Sequence, residues 1–220
     1  MAEIAPLLTH LRPPTVCSVV RLDRFSPNFF DAEKLGFKDL RPTEAYRHVY
    51  RSISDEAVHN LAYYFTFRYQ DERDPLEYMR PLVNEVKAWQ RMHHDSSLFF
   101  TEDGGQVVIW DLRPVAKQAV TQLSELDSAL YRACDSVADL RQLVEVSAAA
   151  GGPRSAVDVE RQLQPMVENG ILIRQGNRYL ALAIRGGEYR PQDAAMTRLK
   201  TIAEDAPSQW SESLELMTIV

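Results

Sequence analysis

With 220 residues, 45% of them apolar and 9% aromatic, the chain has enough hydrophobic material for one large or two small packed domains and is not composed like a disordered polypeptide. Its net charge of −6 argues against a general grip on nucleic acid, which calls for a basic stripe. Cys17 and Cys134 lie far apart, each among apolar neighbours, which suits buried thiols in a reducing compartment better than a disulfide. The start, MAEIAPLLTHLRPPT, lacks the basic residues and apolar run of a secretory signal, and no apolar span of about 18 residues follows. The expectation is a soluble, cytoplasmic protein with no membrane partner.

Along the chain, VVRLDRFSPNFFD (residues 19–31) opens as a short β-branched strand and then crowds charges and aromatics around a Ser-Pro-Asn turn. Arg21, Asp23 and Arg24, with Tyr46 further on, form a candidate polar cluster. DAEKLGFKDLRPTEAYRHVY shows no clean period and reads as loop with one short helix. ISDEAVHNLAYYFTFRY then has Ser54 as a helix cap, Asp55 and Glu56 in the first turn, and Ile53 placed to staple onto Val58. Its apolar spacing predicts a helix carried through to Arg68. A second helix starts at Asp74-Pro75 with Glu77 behind it, with Met79, Leu82, Val83, Val86 and Trp89 on one face; Pro81 is expected to kink or divide it.

From Ser97 the period changes. SLFFTEDGGQVVIWDL is a hairpin signal, with Gly104 and Gly105 able to take the positive φ of its turn. AKQAVTQLS supplies a third strand, with Ala119, Thr121 and Leu123 on one face. Three helices follow. The first is striped by Leu126, Leu130 and Cys134. The second opens on Ser136 and is striped by Val137, Leu140, Leu143 and Val144; the third is capped by Ser155, with Val159, Leu163 and Val167 inward and Gly170 as its stop. ILIRQGNRYLALAI closes as a hairpin. The fold class expected is therefore α+β: a mainly helical segment (1–95), then a winged helix-turn-helix domain with a three-stranded N-terminal ribbon (96–185). A tail (186–220) begins with Gly-Gly and holds one weak helix, the rest partly disordered.

Metal and enzyme signatures are sparse. His93 and His94 are adjacent, and His48 and His59 have no ligand partner at a metal spacing. GxSxG, HExxH, Walker and GxGxxG motifs are all missing. The third helix sets Arg154 and Arg161 against Asp158, Glu160 and Glu168, an acidic balance that disfavours a major groove. A winged helix with a spare strand edge can instead take an extended peptide as one more strand. Alternatively, the ribbon only completes a core.

RLDRFSPNFF, LRPTEAYRHVY, NLAYYFTFRYQDERDPLEYMRPL, LDSALYRACD and NGILIRQGNRYLALAI, in that order over residues 7–184, resemble the C-terminal part of the cobalamin-binding radical SAM maturases of ribosomally made peptides. The chain lacks that family's CxxxCxxC cluster loop and its cobalamin domain, so no cofactor and no radical chemistry of its own are expected. The resemblance implies a leader-peptide-recognition module, with a precursor peptide lying along Lys117, Ala119 and Thr121 and against Val159, Gln162, Leu163 and Met166. Pro165 is unexpected at that place. A radical SAM enzyme is a second implied partner, with Arg21, Asp23, Arg24 and Tyr46 either docking onto it or facing each other; a peptide-modifying enzyme of another class, using that cluster, and a DNA-binding regulator are the alternatives.

Overall fold

The computed structural model describes residues 1–187, 191 and 193–204. The chain is mixed α+β and divides into two compact units, residues 15–83, and residues 1–14 together with the chain from 84 onward.

In the 15–83 unit, strand β1 (Leu22–Asp23), helix α1 (Pro27–Phe30), strand β2 (Phe37–Pro42), helices α2 (Ala45–Val49) and α3 (Asp55–Leu61) and strand β3 (Tyr64–Tyr69) build an antiparallel sheet in the order β1-β3-β2. Its small core is aromatic: Leu22, Ala32, Phe37, Ala62 and Phe65 are buried, and Phe67 stacks on Phe37 at 4.0 Å. Three expectations change here. The helix predicted through Arg68 stops at Leu61, although Ser54 does cap it, accepting from Ala57 N–H at 3.2 Å. Beyond Ala62 the run Tyr-Phe-Thr-Phe-Arg-Tyr alternates, turning Phe65, Phe67 and Tyr69 toward the core, and burying three rings on one pleated face outweighs the helical spacing. Ile53 stays exposed and makes no buried staple. Strand β2 was hidden because a bulge between Lys38 and Arg41, with Asp39 at φ +54°, breaks the two-residue period. A three-stranded sheet thus joins the helices expected in this part of the chain.

Helix α4 (Pro75–Met92) starts as expected, Asp74 Oδ1 accepting from Leu76 N–H at 2.9 Å, but runs undivided through Pro81. The larger unit continues with β4 (Leu98–Asp103), β5 (Gln106–Asp111), β6 (Val120–Gln122), α5 (Glu125–Ala133), β7 (Ala138–Asp139), α6 (Leu140–Ala149), α7 (Ala156–Glu168), β8 (Leu172–Gln175), β9 (Arg178–Ala181), β10 (Ile184–Arg185) and α8 (Asp193–Glu204). One sheet has the order β10-β4-β5-β6, with β10 parallel to β4; a second, antiparallel, has the order β7-β9-β8. Gly104 and Gly105, at φ +55° and +84°, make the β4–β5 turn.

Alternation along β4 and β5 sends side chains into two cores. Leu98, Phe100, Val107 and Ile109 join the core formed with α5, α6 and α7, while Phe99, Val108 and Trp110 pack with Ala195 and Leu199 of α8. Covering both faces explains why these strands read as continuous apolar runs. The tail helix is therefore packed, with Ala195 and Leu199 fully buried; the remainder of the tail, from 205 on, lies outside the described residues. Cys134 is buried, and burial pushes its thiol up to about 12, but Cys17 is only half-buried. Among the described residues no helix is long and apolar enough to cross a membrane.

The second helix of the set opens on Asp139, not Ser136. Asp139 accepts from Gln142 N–H at 3.0 Å while Gln142 Oε1 accepts from Asp139 N–H at 2.9 Å, a complete capping box. Val137 is then outside the helix and 59% exposed, because Ala138 and Asp139 are drawn into β7 against Tyr179 and Arg178. Replacing Asp139 by Ala should cost about 1 kcal/mol, whereas Ser136→Ala should leave stability unchanged; urea denaturation of the two variants side by side checks this.

Candidate functional site

The strand β6 has one neighbour, β5. Asp111 N–H donates to Ala119 C=O and Leu123 N–H to Val107 C=O, each at 2.9 Å, so residues 119, 121 and 123 turn their backbone groups toward β5. Alternation then points the N–H and C=O of Val120 and Gln122 outward, and among the described residues no strand runs along that edge.

Beside this edge lies a groove of about 270 Å³ between β6 and α7. Leu123, Met166 and Ile171 supply apolar surface; Thr121, Gln122, Asp127, Arg161, Gln162, Pro165 and Asn169 complete the walls. A narrower extension is lined by Asp111, Lys117 and Gln118 together with Thr121, Asn169 and Ile171. Asp127 closes one side. Its Oδ2 accepts from Ser124 Oγ at 2.7 Å and its Oδ1 from Gln162 Nε2 at 2.6 Å, tying the start of α5 to the middle of α7. Arg161 pairs with Asp158 at 2.6 Å on the exposed side of α7, and the Ser155 hydroxyl, together with that guanidinium, holds the Asp158 carboxyl below its ordinary range.

Of the seven residues singled out for peptide contact, Lys117, Thr121, Gln162 and Met166 line the groove or its extension. The others do not. Val159 and Leu163 are fully buried in the main core, and Ala119 packs toward Phe99 and Trp110 on the opposite face of the ribbon. The reason is a rotation of the helix. Val159, Leu163 and Met166 form its inward stripe, whereas Gln162, Pro165, Met166 and Asn169 form the neighbouring stripe that meets the groove. Pro165, which looked out of place, is part of the groove wall; α7 continues through it to Glu168. Gln122, Leu123, Asp127, Arg161, Asn169 and Ile171 were missed. The i, i+3, i+4, i+7 run from residue 162 was the available signal, but periodicity alone does not say which polar stripe faces a neighbour.

In the 15–83 unit the polar cluster spends its hydrogen bonds internally. Arg21 grips Asp23 bidentately, at 2.7 and 2.8 Å, lowering the carboxyl's proton affinity. Arg24 donates to the carbonyls of Ala62, at 2.7 Å, and His59, closing the end of α3, and lies over the rings of Phe65 and Phe29. The Tyr46 hydroxyl accepts from Tyr63 N–H at 2.9 Å. This arrangement holds β1, α3 and β3 together. A separate cleft of about 530 Å³ in the same unit mixes Arg41, Arg47 and His59 with Glu44 and Asp55, and Arg47 pairs with Asp55 at 3.1 Å. Among the described residues no three His, Cys, Asp or Glu side chains are grouped to hold a metal ion.

No protein-family model, curated protein or solved structure matches the chain. Arg24→Ala should lower the stability of the 15–83 unit by about 2 kcal/mol, since two helix-end carbonyls lose a charged donor. The exposed Arg21→Ala change should leave the unfolding midpoint where it was, as read by tyrosine fluorescence during urea unfolding.

Proposed function

We propose that the chain is a non-catalytic peptide-binding module in the maturation of a ribosomally made peptide, taking the precursor's leader as a strand added to β6. The observation that carries this reading is the outward-facing backbone of Val120 and Gln122 beside a groove with an apolar floor of Leu123, Met166 and Ile171. Backbone bonding supplies affinity in such a mode, and the pocket supplies side-chain choice. The finer architectural reading, a winged helix-turn-helix carrying an extra three-stranded ribbon, is supported by the succession α5, β7, α6, α7, β8, β9 and by the small β7-β9-β8 sheet. The resemblance of the ordered sequence segments to radical SAM peptide maturases favours a leader as ligand and such an enzyme as the protein this module serves.

Exposed Phe25, Phe30, Leu61, Tyr63 and Tyr64 of the 15–83 unit supply apolar surface suited to docking on that enzyme. The polar cluster of Arg21, Asp23, Arg24 and Tyr46 is more economically explained as internal bracing.

Titration of a fluorescently labelled precursor peptide should give saturable binding, with or without the radical SAM partner; a flat titration in both cases overturns the reading. Gln122→Pro removes an outward N–H without touching the ladder to β5, so it should weaken binding about tenfold, one well-made hydrogen bond's worth, while leaving the circular dichroism spectrum unchanged.

A further inference from the structure

Residues 1–14 form a strap across the larger unit, and polar groups hold it at successive positions. Arg113 Nη1 donates to Leu7 C=O at 2.6 Å, Trp89 Nε1 to Leu11 C=O at 2.8 Å and Gln90 Nε2 to Pro14 C=O at 2.7 Å, while His93 Nδ1 lies 3.2 Å from Thr9 O. His10, 2% exposed, sets Nε2 3.0 Å from Leu182 O. Only an N–H can satisfy a carbonyl, so the neutral ring carries its proton on Nε2. The other nitrogen, Nδ1, and Thr9 Oγ1 are buried without a hydrogen-bond partner.

Two short routes lead from this strap to the groove. In the first, the guanidinium that holds Leu7 also donates through Nη2 to Gly170 C=O at 3.0 Å; Gly170, at φ +68°, separates the groove residues Asn169 and Ile171. The contact is close: a Cβ at Gly170 would come within 2.8 Å of a Leu7 methyl. In the second, the residue whose carbonyl meets His10 donates its own N–H to Ile171 C=O at 3.0 Å. Arg113 also grips Asp111, in the wall of the groove's extension.

We infer that the strap is a latch on the peptide groove, with Arg113 and His10 as positioning residues that set Asn169 and Ile171 for the incoming strand. This rests on the peptide-binding reading. His10 makes the latch sensitive to acid. Facing its ring are the Arg113 guanidinium from the loop after β5 and His93 from the turn after α4, both adverse to a second positive charge, while the Tyr131 hydroxyl of α5 is occupied with Ile171 and Ala183. The carboxylate of Asp111 is turned to Arg113. Burial first, and then the Arg113 guanidinium, push His10 down from 6.5 to about 4, outweighing the hydrogen bond to Leu182 C=O, which acts the other way. A group lowered on docking favours the docked strap fully above pH 6.5, and that preference fades as pH falls toward 4. Between pH 7.5 and 5.0 the opening constant should rise about thirtyfold, from those two values.

The test follows hydrogen exchange at the Trp89 indole Nε1–H, which donates to Leu11 C=O of the strap, corrected for intrinsic chemistry, and leader-peptide affinity, both at pH 7.5 and 5.0. In wild-type protein, opening at the Trp89 indole should increase about thirtyfold on acidification and affinity should drop with it. His10→Gln keeps a donor for the Leu182 carbonyl but cannot titrate, so both changes should shrink to within about twofold; His10→Asn serves if that variant folds poorly. Equal pH responses in wild-type and variant, or a flat wild-type response at the Trp89 indole, overturn the latch. Should acid free the Trp89 indole in the wild-type alone while affinity stays constant, the strap moves but does not govern the groove, and the inference fails. A peptide that binds at neither pH overturns the peptide-binding reading, with Trp89 indole exchange still deciding whether His10 holds the strap.

Discussion

Arg113 is the constraint on which the larger unit turns. Its side chain is completely buried, and a buried guanidinium is tolerable only with its charge matched and its N–H groups filled. Asp111, two residues earlier, takes it bidentately at 2.8 and 2.6 Å, and the carbonyls of Leu7 and Gly170 take two more of its N–H groups. Those partners come from the end of β5, the N-terminal strap and the turn after α7. One side chain therefore joins segments more than 160 residues apart in sequence (Leu7 to Gly170). Removing either charge would leave the other stranded in a low-dielectric interior, so the three segments are committed to each other.

The groove follows from how the ribbon is covered. Strands β4 and β5 are clad on both faces, by α5 to α7 on one and by α8 on the other. Strand β6 is only three residues long and ends the sheet, so an unsatisfied backbone edge remains where α7 passes. Edges of this kind are usually blunted with charge or shortened to avoid unwanted pairing. Here shortness limits the edge to two outward-facing residues, and the apolar patch of Leu123, Met166 and Ile171 beside it favours a ligand of defined side-chain pattern over indiscriminate pairing.

The smaller unit is organised differently. Its buried core is slight, and stability rests on aromatic contacts about Phe37, Phe65 and Phe67 and on Arg24, which seals α3 with its charge while stacking over two rings. Arg21, Asp23 and Arg24, crowded in a few residues, suggested chemistry; in the fold Arg21 and Asp23 meet each other and Arg24 meets the backbone.

Local interactions were legible in the amino-acid sequence. The caps at Ser54 and Ser155, the Gly104-Gly105 turn, the three-helix succession and the closing hairpin all depend on groups within a few residues of one another, and so on patterns that a single chain displays. What depended on partners distant in sequence was not. Whether residues 64–69 extend a helix or form a strand depended on Leu22, Phe37 and Pro42 arriving alongside. Whether Val159 and Leu163 face a ligand or the core depended on the rotation of α7 against α5 and β8. The strap's attachment through His10 and Arg113 leaves no periodic trace at all, because a single buried polar contact has no repeat to reveal it; only the closed fold, with its demand that buried donors and acceptors meet, brought those residues together.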